Sequence, residues 1–93
     1  MRQQIQRGAN WQAANAARAL LEAIRSDNEK ALTEALERAQ RTVQTPGMDA
    51  WTAEKMELLG AVAGAVQQGA ETPASYFLLK HLAAAVGASA RVM

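Results

Sequence analysis

The chain has 93 residues, of which ten are basic and nine acidic, and its formal charge is +1. That length fits one domain, and the charge balance gives no electrostatic case for binding nucleic acid or an anionic membrane. Cysteine is absent, which excludes disulfides and thiolate metal sites. Alanine fills 22 positions and only four residues are aromatic. A core so rich in alanine buries little area, so we expect the chain to associate with another protein or with itself as a homo-oligomer.

The N-terminal residues 1–9 are predicted to be a flexible segment. They contain Arg2 and Arg7 but no apolar run of the length that a secretory signal needs. We expect one helical domain over residues 10–88 and a frayed tail over residues 89–93.

The first helix is predicted over 10–25 with Asn10 as its N-cap, because apolar residues recur at helical spacing along it. A second helix follows with almost no linker. Ser26 and Glu29 have the spacing of a capping box, which predicts that Ser26 caps this helix. The helix is expected to end near Gln44, before Pro46 and Gly47.

The third helix is predicted from Asp49, its N-cap, to Gln68. Its stretch 58–66 is uncharged and apolar, but nine residues are too few for a membrane span, which needs about 20. Gly60 and Gly64 interrupt this helix, and glycine there costs about 1 kcal/mol against alanine. We therefore expect a neighbouring backbone to approach closely at the two glycines. The apolar stripe of this helix is predicted to contain Trp51, Leu58, Leu59, Val62 and Val66.

Helix four is predicted to start with Thr72 as N-cap and Pro73 as first helical residue, and to end near Gly87. Its predicted core stripe comprises Leu78, Leu79, Leu82, Ala85 and Val86. The sequence thus predicts an all-α fold of two consecutive helical hairpins. These can close into a small four-helix bundle or form a short α-solenoid-like array.

The sequence gives little support for catalysis or for metal binding. His81 is the single histidine, and its i±4 neighbours are Phe77 and Ala85, so a metal site built from His81 and carboxylates is not expected. Nothing orients His81 towards a serine hydroxyl, as nucleophilic catalysis requires. We predict neither an enzyme nor a cofactor nor a small-molecule substrate.

Aromatic residues outside the apolar stripes are the candidate contacts with a partner. Phe77 projects about 150° from the predicted core stripe of helix four. Trp11 projects about 100° from that of helix one, where it could instead cap the bundle end or stack on Arg18. If helix four were the central helix, Phe77 would be core. The predicted partner-binding residues are Phe77, Lys80, His81, Ala84, Ala88 and Trp11.

These patterns favour a small helical protein–protein interaction module that acts by helix-face binding, as an adaptor, a chaperone or an inhibitor of a larger assembly. The alternative is a small DNA-binding regulator that uses the hairpin of helices one and two. Its recognition helix would begin "SDNEKALTEAL", which is acidic where phosphate contacts belong. We expect no membrane association and a cytoplasmic location.

Overall fold

The structure is a computed structural model that describes residues 8–92, with side chains through residue 88. Its helices are α1 (Gly8–Arg25), α2 (Glu29–Val43), α3 (Ala50–Gln67) and α4 (Pro73–Val92). The described residues contain no strand, so the predicted all-α class is confirmed. Most of the predicted N-terminal segment 1–9 lies outside the described residues, while Gly8 and Ala9 belong to α1.

The helices close into a bundle. α1 packs against each of the other three helices, and α3 packs against α2 and α4. Connections of three, six and five residues make consecutive helices antiparallel. Because α4 returns to pack on α1, the solenoid-like alternative is wrong. Of the described helices, α1 and α3 each touch all three others, whereas α4 touches only these two.

Alanine dominates the core. Half of the fourteen clustered buried residues are alanines, and among those from α1 the one large side chain is Leu20. Small side chains let helix axes approach closely, but each contributes little buried area. The core members are Ala13, Ala16, Ala17, Leu20, Ala23, Leu32, Ala35, Ala39, Met56, Leu59, Ala63, Leu79, Leu82 and Val86.

A polar clamp joins the starts of α1 and α3. Asn10 Nδ2 donates to Asp49 Oδ2 at 2.6 Å, and the Asp49 backbone N–H donates back to Asn10 Oδ1 at 3.4 Å. Asp49 also caps α3, as predicted, since its Oδ1 accepts from the Thr52 N–H at 2.7 Å. Asn10 was expected to cap α1, but α1 starts at Gly8 and the Asn10 amide binds Asp49 instead.

The capping box predicted between α1 and α2 is wrong. Asp27 adopts a left-handed conformation (φ 54°), and the N–H groups of Asp27 and Asn28 donate to Ile24 O and Ala23 O, which is a Schellman ending of α1. Ser26 Oγ donates to Ala23 O at 3.1 Å, so it belongs to this ending. Asn28 caps α2, because its Oδ1 accepts from the Ala31 N–H at 3.0 Å.

The start of α4 is as predicted. Thr72 Oγ1 accepts from the Ser75 N–H at 3.1 Å, and Ser75 Oγ accepts from the Thr72 N–H at 2.9 Å, so the two residues cap each other reciprocally. The predicted end near Gly87 is wrong, since α4 continues to Val92. Gly87 stays out of the positive-φ region, so it does not terminate the helix.

Gly60 and Gly64 are not contact points between helices. A Cβ built at either position would meet no described atom within 4 Å beyond the helix's own backbone. The predicted close approach is therefore wrong. Both glycines only weaken α3 through backbone entropy.

We expect Gly60→Ala and Gly64→Ala each to raise the free energy of unfolding by about 0.5–1 kcal/mol, because alanine removes backbone entropy from the unfolded chain without a clash. Chemical denaturation measures this. Gly69→Ala is the matched control and should lower stability, since Gly69 has a φ of +102°. Unchanged or lower stability of both α3 variants would contradict the open environment of the glycines.

Asn28→Ala should cost about 1 kcal/mol, because it removes the N-cap of α2. Ser26→Ala should cost less, since its hydroxyl donates one hydrogen bond to the Ala23 carbonyl and caps no helix N-terminus. Thermal unfolding of the two variants side by side checks the order. A larger loss of stability in Ser26→Ala than in Asn28→Ala would instead support the predicted capping box.

Asn10→Ala should cost about 1–3 kcal/mol, because it removes a short bond to a carboxylate from a site that is 6% exposed. Asn15→Ala, on the same helix and partly exposed, is the control and should change stability little. Equal unfolding midpoints for the two variants would show that the clamp contributes nothing.

Candidate functional site

Large apolar side chains that remain exposed concentrate on the hairpin of α3 and α4. Phe77 is 72% exposed, and three further residues of the hairpin are 43–48% exposed. We call these four residues, Trp51, Leu58, Phe77 and Leu78, the α3–α4 surface. In a chain of this size, such a concentration of exposed large apolar residues is typical of a contact site.

The predicted contact residues of α4 lie on one exposed side of the helix. Phe77, Lys80, His81, Ala84 and Ala88 are all exposed and recur at spacings of three and four residues. The alternative in which Phe77 is core is wrong, because its side chain is 72% exposed and α4 packs only against α1 and α3. A role of these residues in binding a partner stays a prediction.

Trp11 lies apart from this group. It is 42% exposed near the start of α1, whereas the end of α1 is the part close to the start of α4, where Ile24 and Arg25 line one cleft with Tyr76. Arg25 lies 14 residues after Trp11, about 21 Å along the helix. The structure therefore does not bring Trp11 together with Phe77.

Sequence reasoning missed three residues of the α3–α4 surface. Trp51, Leu58 and Leu78 were predicted to be core but are exposed. The buried side of α3 is rotated by about one residue from the predicted stripe. The buried residues are Thr52, Met56, Leu59 and Ala63. Glu54 gave a usable signal, because it lies three residues after Trp51 and four before Leu58 and so marks their side as solvated.

Leu58 and Leu78 both flank the seam between α3 and α4. Gly60 and Ala61 line a cleft with α2, and Leu58 is about 200° around the helix from Gly60, so it lies away from α2. Tyr76 lines a cleft with α1, and Leu78 is again about 200° around from it, so it lies away from α1. The remaining neighbour of each helix is the other helix of the hairpin.

Charge is sparse on this hairpin and differs between its two helices. Residues 58–79 contain one charged side chain, Glu71. The exposed charges of α3 are Glu54 and Glu57, and Lys55 Nζ lies 4.9 Å from the centroid of the Trp51 ring. On the described part of α4 the exposed polar groups are Lys80 and His81, with Lys80 Nζ 5.8 Å from the centroid of the Tyr76 ring. The cation–π contact with Lys55 restrains the Trp51 side chain at the surface.

The α1–α2 groove is a cleft of about 510 Å³. Its floor is made of alanines, including Ala19 and Ala35, and its charges are mixed: Glu22 and Glu34 lie with Arg38 and Arg41. This mixture offers no basic strip for a phosphate backbone. Nothing in the groove favours the DNA-binding alternative for helices one and two.

In residues 8–92, no three His, Asp or Glu side chains are grouped so that they could hold a metal ion. None of the described helices has the length and apolar character needed to cross a membrane. Comparison of the chain with protein-family models, with curated proteins and with solved structures gives no match.

Proposed function

We propose that this chain is a protein–protein interaction module that acts by helix-face binding through the α3–α4 surface. The observation that supports this most directly is the 72% exposure of Phe77, on a hairpin that carries three other exposed large apolar side chains. An exposed apolar group is stabilised when a partner removes it from water. The partner that suits this surface is a protein that presents an apolar helix face.

The composition of the bundle supports the same proposal. A core in which alanine fills half of the positions buries little area, so further burial at an interface would add stability. Within this class, the chain would serve as an adaptor, a chaperone or an inhibitor of a larger assembly. The cytoplasmic location expected from the sequence stays a prediction.

Phe77→Ala should leave the free energy of unfolding nearly unchanged, because the side chain is exposed. Leu82→Ala should lower it by about 2–5 kcal/mol, as truncation of a buried side chain does. In affinity capture, proteins retained by the wild type should be lost with Phe77→Ala and with Leu78→Ala. They should be retained with Glu34→Ala, an exposed control on α2.

Two results would contradict the proposal. One is unfolding of Phe77→Ala with undiminished binding per folded molecule, which would make Phe77 core. The other is duplex DNA binding whose affinity falls steeply with salt, as counterion release requires. That result would favour the DNA-binding regulator.

A further inference from the structure

We draw no further inference here: the strongest candidate, the apolar seam of the α3–α4 surface between Leu58 and Leu78, belongs to the site already described, and nothing in the described residues shows what covers it.

Discussion

The alanine face of α1 determines how the rest of this bundle is arranged. α1 touches all three other helices, as α3 does, and its contribution to the core is four alanines and Leu20. A face this smooth lets three helices pack closely around it, and the bond from Asn10 to Asp49 sets the position of α3 along it. The same face offers little area, so the core remains small for the number of apolar residues in the chain.

The apolar residues that this small core does not cover lie on α3 and α4. Both helices are apolar on more than the side that faces α1: Leu59 and Leu79 are buried, while Leu58 and Leu78 next to them are exposed. A helix that is apolar on two sides is typical of a buried element, yet each of these helices has an outward side that no described neighbour covers. We therefore propose that the second apolar side is the part of the hairpin that contacts a partner protein.

Local signals in the sequence predicted much of the fold. The starts of α3 and α4 depend on bonds within three residues, from Asp49 to Thr52 and from Thr72 to Ser75, so residue type and spacing were enough. Contacts between residues that are distant in the sequence could not be predicted in this way. Thr52 is buried because its hydroxyl donates to Asp49, and Asp49 is in turn held by Asn10, 39 residues earlier. That contact moves the buried side of α3 by one residue and exposes Trp51. The exposure of Phe77 could be predicted because the residue projects about 150° from the apolar stripe of α4, although its exposure also required that α4 not be the central helix.

The central claim is that the chain associates through the apolar side of α3 and α4 left uncovered by the alanine face of α1. Amide hydrogen exchange of the chain alone and in the complex retained by affinity capture tests it most directly. The account predicts slower exchange on binding that clusters around Leu58 and over residues 77–81, with exchange in the α1–α2 groove unchanged. Slower exchange confined to that groove would contradict it.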